Sequence, residues 1–122
     1  LKRWRVAVGS EAGTHDQAVP RMCAHDGIAD KLKPLIAHAR RAARPAHLKR
    51  IQALVDAGRV LLAGPHPTLD TSDPGEAGFS GSLIVAEFDS LADAEAWAAG
   101  DPYTEAGVFA SVTVKPFLPV LP

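Results

Sequence analysis

The chain has 122 residues and a formal net charge of −1, which fits one domain and argues against nucleic acid as the main partner, because phosphate binding needs a concentrated basic surface. Cys23 is the one cysteine, so the disulfide-stapled secreted class is excluded. No apolar run approaches the roughly 20 residues of a membrane span and the first residues lack the apolar core of a signal peptide, so the expectation is a cytoplasmic domain without membrane contact.

Residues 4–8 alternate apolar and polar and predict a short strand. Residues 9–17 are polar and read as loop, and residues 19–24, which contain Pro20, suit at most a sheet edge. Between 26 and 43, Ile28, Leu32, Leu35 and Ile36 fall at helical spacing with Pro34 among them. Proline costs about 3 kcal/mol in a helix interior and is tolerated in a first turn. The expectation is therefore a helix that breaks or restarts near Pro34. Residues 45–57 are the clearest helix: Leu48, Ile51, Leu54 and Val55 form one stripe, Pro45 suits the first turn, and Gly58 suits a left-handed cap.

Residues 59–63 then read as a buried strand ended by Gly64-Pro65, and residues 66–81, rich in Pro, Gly, Asp, Ser and Thr, as one long loop. Loops of that length are often functional. Residues 82–88 are a strong strand. Ser90 is a good N-cap with Asp93 three residues on, and Leu91, Ala94, Trp97 and Ala98 make the stripe of a second helix ending at Gly100. Residues 101–108 are rich in turn formers, and residues 109–117 alternate as a last strand. With one strand ahead of the first helix, the order is βαββαβ. That is an α+β, ferredoxin-like split plan with an antiparallel sheet and helices on one face. The other sheet face needs cover. Apolar residues on both faces of residues 83–88 predict a homodimer with sheets packed face to face, and leave larger oligomers open.

His47, in Arg44-Pro45-Ala46-His47-Leu48, stands near the start of the clearest helix, where the helix dipole favours a neutral ring able to act as a general base. The bland alternative is a surface histidine with a local hydrogen bond. Asp101 follows the second helix, where that helix's dipole disfavours a carboxylate. It either orients His47, as carboxylates do for catalytic imidazoles, or is a turn aspartate bonded to its own backbone. Gly64 either lets a ligand approach the backbone or merely ends a strand. The hydroxyls of Ser80 and Ser82 have no base visible beside them. Cys23 as a nucleophile has no support. His15, His25, His38, His47 and His66 show no paired ligand spacing, and no phosphate or dinucleotide fingerprint occurs, so neither metal nor cofactor is expected. The basic run Arg40, Arg41, Arg44, Lys49 and Arg50 reads as a solvated helix face.

Taken in order, residues 44–48, residues 57–65 (Ala-Gly-Arg-Val-Leu-Leu-Ala-Gly-Pro), residues 73–82 (Asp-Pro-Gly-Glu-Ala-Gly-Phe-Ser-Gly-Ser), Asp101-Pro102-Tyr103, Ala106-Gly107-Val108 and Val114-Lys115-Pro116-Phe117 resemble the YciI-like family. The resemblance implies a ferredoxin-like fold, a dimeric α+β barrel, and a cleft holding a paired His and Asp, here His47 and Asp101. It also points to relatives that include muconolactone-isomerase-like proteins and lyases acting on ring-derived compounds. On that basis the chain is expected to be an isomerase or lyase for a small organic acid or lactone, using His47 and Asp101 as an acid–base pair. Arg44, Gly64, Pro65, Ser82 and Tyr103 would line the substrate site. The alternative is a non-catalytic dimeric module that binds a small ligand. Residues 18–122 are expected to form the family domain, with residues 1–17 an N-terminal extension. The first strand comes from residues 4–8 or from residues 22–25.

Overall fold

The structure, a computed structural model, describes residues 3–11 and 28–122. In chain order its elements are β1 (Trp4–Glu11), α1 (Ile28–Asp56), β2 (Val60–Pro67), a single 3-10 turn (Gly75–Ala77), β3 (Phe79–Glu87), α2 (Leu91–Ala99), α3 (Pro102–Glu105) and β4 (Phe109–Pro116). The strands form one antiparallel sheet in the order β2-β3-β1-β4. This is the ferredoxin-like split plan, with the helices on one face of the sheet. β1 is an interior strand between β3 and β4, so residues 4–8 do supply the first strand. The expected edge strand at residues 19–24, with Cys23 and His25, lies outside the described residues.

Side-chain alternation sorts the sheet into two faces. Ala7 pairs with Ile84 and Val114, and Ile84 packs with Ile51 and Leu54 of α1 and Ala94 of α2. Ala7 and Gly9 therefore face the helices, and their small size lets the helical layer sit close. Val6, Val8, Leu83 and Val85 point the other way. A second cluster, Ile36, Tyr103 and Val108 with Ala39, Ala43 and Phe109 against it, continues the core beneath the first half of α1.

α1 corrects one expectation. It runs unbroken for 29 residues through both Pro34 and Pro45, where the sequence predicted a helix restarting near one proline and another beginning at the other. The reason is the continuous stripe Ile36, Ala39, Ala43, His47, Ile51 and Leu54, at helical spacing along both core clusters. A fully buried Ile or Leu contributes about 1.5–3 kcal/mol, and the stripe together exceeds the roughly 3 kcal/mol that relieving one interior proline would return. Gly58 closes the helix as predicted. It takes φ 72°, and the N–H groups of Gly58 and Arg59 donate to the carbonyls of Val55 and Leu54, both at 2.9 Å, the paired bonds of a Schellman ending.

β2 and β3 correct another. Gly64-Pro65 does not end β2, which continues to Pro67, while β3 begins at Phe79, so the loop is shorter at both ends than residues 66–81. β2 is an edge strand, where prolines can turn their missing donor away from the ladder. The Thr68 N–H donates to the Gly78 carbonyl at 3.0 Å and closes the loop. α2 follows the sequence closely: Ser90 caps it, its hydroxyl accepting from the Asp93 N–H at 3.1 Å.

Candidate active site

The site is built where α1 crosses α3. Asp101 is the N-cap of α3, its backbone extended and its Oδ1 accepting from the Tyr103 N–H at 2.8 Å. Pro102 occupies the first helical turn, where its missing N–H costs nothing. That cap bond anchors one carboxylate oxygen, and the group faces α1. There the His47 Nδ1 lies 2.8 Å from Asp101 Oδ1 and 2.9 Å from Oδ2. Both side chains are buried, His47 at 5% and Asp101 at 3% exposure. A carboxylate has only acceptors, so Nδ1–H donates, and in the neutral ring the lone pair is then on Nε2.

Aromatic packing holds the imidazole plane. The Tyr103 ring stacks on His47 at 3.8 Å between centroids and 10° between planes. Phe109 meets Tyr103 edge-on at 5.5 Å and 85°. The Phe109 ring in turn lies over Gly9, where an added Cβ would meet it at 2.6 Å. Gly9 on β1, Phe109 on β4, Tyr103 on α3 and His47 on α1 thus form one chain of contacts that sets the ring's attitude.

His47 opens onto a cleft of about 310 Å³ between α1 and the β2–β3 edge, at the small end of ligand pockets. Arg40, Arg44 and Ser82 supply its other polar groups. Leu48, Ile51, Val55, Val60 and Ile84 give an apolar wall, and Ala63, Gly64 and Pro65 bring the β2 backbone to the rim. Arg40 donates from Nη2 to the Ser82 Oγ at 3.4 Å, and its guanidinium lies 5.0 Å from the ring centroids of both Phe79 and Tyr103. The arrangement can hold a small ligand with an anionic group and an apolar body beside the His47 ring.

Of the residues expected at a substrate site, His47, Arg44, Gly64, Pro65, Ser82 and Tyr103 line the cleft and Asp101 stands behind His47, while His38, His66 and Ser80 do not line it. Three local reasons change. His47 lies deep inside α1, not near a helix start, so no helix N-terminus acts on it and the ring answers to Asp101 instead. Asp101 is not merely stranded behind α2, because it caps α3, and the two readings offered for it hold together: it bonds its own backbone turn and His47. Gly64 sits inside a strand, with open space where a Cβ would be. Arg40 and Arg50, assigned above to a solvated face, are half-buried at the site, while Arg41 and Lys49 are exposed as expected. Arg40, seven residues before His47, shares its face only in a helix continuous through Pro45, whereas Arg50, three residues after it, shares that face within the predicted helix as well. Among the described residues, no three His, Cys, Asp or Glu side chains converge as a metal-binding group, and no helix is long and apolar enough to cross a membrane.

The model of the YCII-related domain matches residues 22–118, well over half of the chain. The chain belongs to the YCII-related domain family. Among YCII-related proteins, the one called Protein YciI in Escherichia coli O6:H1 is 59% identical over 78 residues, covering 64% of this chain and 80% of that one. Protein YciI of Shigella flexneri matches equally, and an uncharacterized protein of Haemophilus influenzae is 53% identical over 78 residues, with the same coverage. In three dimensions the chain resembles the 5-chloro-2-hydroxyhydroquinone dehydrochlorinase TftG from Burkholderia phenoliruptrix, solved in complex with 2,5-dihydroxybenzoquinone. The TM-score is 0.64 at 18% identity, over 94% of this chain and 93% of that one. At that identity the likeness is one of fold.

Proposed function

We propose that this protein is a small-molecule isomerase or lyase in which His47 acts as the acid–base group and Asp101 as the residue that holds its tautomer. One observation carries the reading: a buried His47–Asp101 contact at 2.8 Å whose imidazole opens onto a cleft containing Arg40 and Arg44. A structural pair would need neither the opening nor the cations. The Nε2 lone pair takes a proton from a carbon beside a carbonyl or carboxyl group, leaving an enolate. In isomerisation the proton returns to a different carbon. In elimination the electron pair expels a leaving group from the neighbouring carbon, giving an unsaturated product, the free anion and a proton that His47 passes to water. Arg44 attracts the acidic group of the substrate, while Ser82, Tyr103 and the Gly64-Pro65 backbone shape the pocket. Ring-derived acids, lactones and hydroxyquinones are the compounds to try first, the last because the structural relative is a dehydrochlorinase of a hydroxyhydroquinone.

The working unit in this reading is a homodimer. Val6, Val8, Leu83 and Val85 share the sheet face away from the helices, as does Leu62, which pairs with Val85 and is 49% exposed. A second sheet would cover Val6, Val8, Leu83 and Leu62, which are exposed or half-buried, whereas Val85 is already buried. Sedimentation of the pure protein tests this, and a monomer at micromolar concentration would count against it.

The enzymatic claim is tested by titrating such compounds, 2,5-dihydroxybenzoquinone first, into the wild type and His47→Gln, and by following halide release and isomer formation. Turnover in the wild type that His47→Gln loses by about 10²-fold or more is the expected result. Binding without turnover, surviving unchanged in His47→Gln, would replace the enzyme with a ligand-binding module.

A further inference from the structure

We infer that Arg50 is a positioning residue for the His47–Asp101 pair, supplying the fixed counter-charge that keeps the Asp101 carboxylate turned toward His47. The inference rests on the reading of His47 as the acid–base group. Arg50 stands three residues beyond His47 on α1, hence on the same helix face. Its Nη1 lies 3.8 Å from Asp101 Oδ2, and the side chains are 30% and 4% exposed. The Nη1 atom itself is buried and makes no hydrogen bond, so a charged donor is held inside the protein beside this carboxylate rather than in water. What holds it there is Trp97 of α2, whose ring centroid lies 4.5 Å from the guanidinium carbon. A flat cation on an aromatic face is attracted by the ring quadrupole.

Charge balance explains the arrangement. A buried carboxylate costs several kcal/mol unless a cation compensates it. Among the described residues the ion-pair partners of Asp101 are His47 and Arg50. A histidine acting as a base is uncharged whenever it is ready to accept a proton, and at that stage the compensation falls to Arg50, which does not deprotonate in proteins. The geometry fits this division. The Tyr103 N–H and His47 Nδ1 take Oδ1, and Nδ1 also reaches Oδ2, while Arg50 approaches from the Oδ2 side. Without Arg50, the carboxylate has no charge-based reason to keep its plane toward the imidazole.

The test is the His47 Nδ1 proton, observed by ¹H–¹⁵N NMR of the whole chain, in Arg50→Gln, Arg50→Lys and Asp101→Asn. In the wild type the His47 side chain is 6% exposed, and slow exchange of this proton with water is expected. Arg50→Gln is expected to speed its exchange about tenfold, a free-energy loss of about 1.4 kcal/mol, and Arg50→Lys, which keeps the charge, to restore most of the protection. A merely structural arginine would shift the melting temperature in both variants without that selective rescue. If Arg50→Gln does not fold, Trp97→Leu carries the same expectation, since it keeps the arginine in the chain but removes the platform that holds its guanidinium beside Asp101. Wild-type exchange in Arg50→Gln, or equal loss in Lys and Gln, overturns the inference. If Asp101→Asn also leaves the proton unchanged, the His47–Asp101 reading itself fails, and the role of Arg50 fails with it.

Discussion

Replacing Asp101 by alanine removes, in one step, the acceptor of the His47 Nδ1–H, the cap of the Tyr103 N–H and the carboxylate that faces Arg50. Losing an N-cap alone costs about 1 kcal/mol. Removing one partner of a buried charged pair costs about 3–5 kcal/mol, because the other is left uncompensated. Asp101→Ala should therefore lower stability by about 3–5 kcal/mol, a large share of the 5–15 kcal/mol typical of a domain. Asp101→Asn keeps the one oxygen that caps Tyr103 but loses the charge and sets an amide NH2 where Oδ2 faces His47 and Arg50, so it weakens the His47 contact at a smaller cost than Ala, about 1–2 kcal/mol. Urea unfolding followed by tryptophan fluorescence separates the two. With a slope of 1–3 kcal/mol per molar, the Ala midpoint should fall by about 2 M and the Asn midpoint by less than about 1 M, the slope staying constant. An Ala variant within about 1 kcal/mol of wild type, or equal costs for Ala and Asn, would refute the reasoning that a single charged contact organises the site.

Three further perturbations follow from the packing around the pair. Gly9→Ala places a methyl group against the Phe109 ring and should cost about 1–3 kcal/mol as overpacking, read as a lower melting temperature together with a changed Tyr103 environment in near-ultraviolet circular dichroism. Tyr103→Ala should cost about 3–5 kcal/mol and release the His47 ring, visible as broadened imidazole resonances. Ser90→Ala should cost only about 1 kcal/mol through the lost cap of α2 and leave ligand binding in the cleft unchanged, since Ser90 lies outside it.

Much of this was legible in the sequence, for local reasons. Alternation marked β1 and β4, the Ser90 cap and the Leu91–Ala98 stripe marked α2, and Gly58 marked the end of α1, because caps and periods are set by residues close in the chain. What local rules misjudged was governed by distant packing. Pro34 and Pro45 argue for breaks in α1, yet Tyr103 and Val108, more than fifty positions on, give its first half a core to bury against. The same break hid Arg40, which falls on the His47 face only if the helix is one piece, whereas Arg50 already lay three residues past His47 in the predicted helix and was read as part of a solvated face. β2 ran past its prolines because its place at the sheet edge, which the chain order alone does not reveal, excuses their missing donors. The pairing of His47 with Asp101 came from resemblance, since nothing local joins residues 54 positions apart.

The account's central claim, that His47 moves a proton to and from carbon, is tested most directly by hydrogen–deuterium exchange at the ligand. Ring-derived acids, lactones and hydroxyquinones that bind the protein would be incubated with it in D₂O, and their C–H signals beside a carbonyl followed by ¹H NMR. Exchange reports proton abstraction whether or not a full reaction follows. The account predicts that the wild type replaces such a hydrogen and that His47→Gln slows the replacement by about 10²-fold or more. A ligand that fills the cleft yet keeps its hydrogens, or that exchanges equally in both proteins, would contradict it.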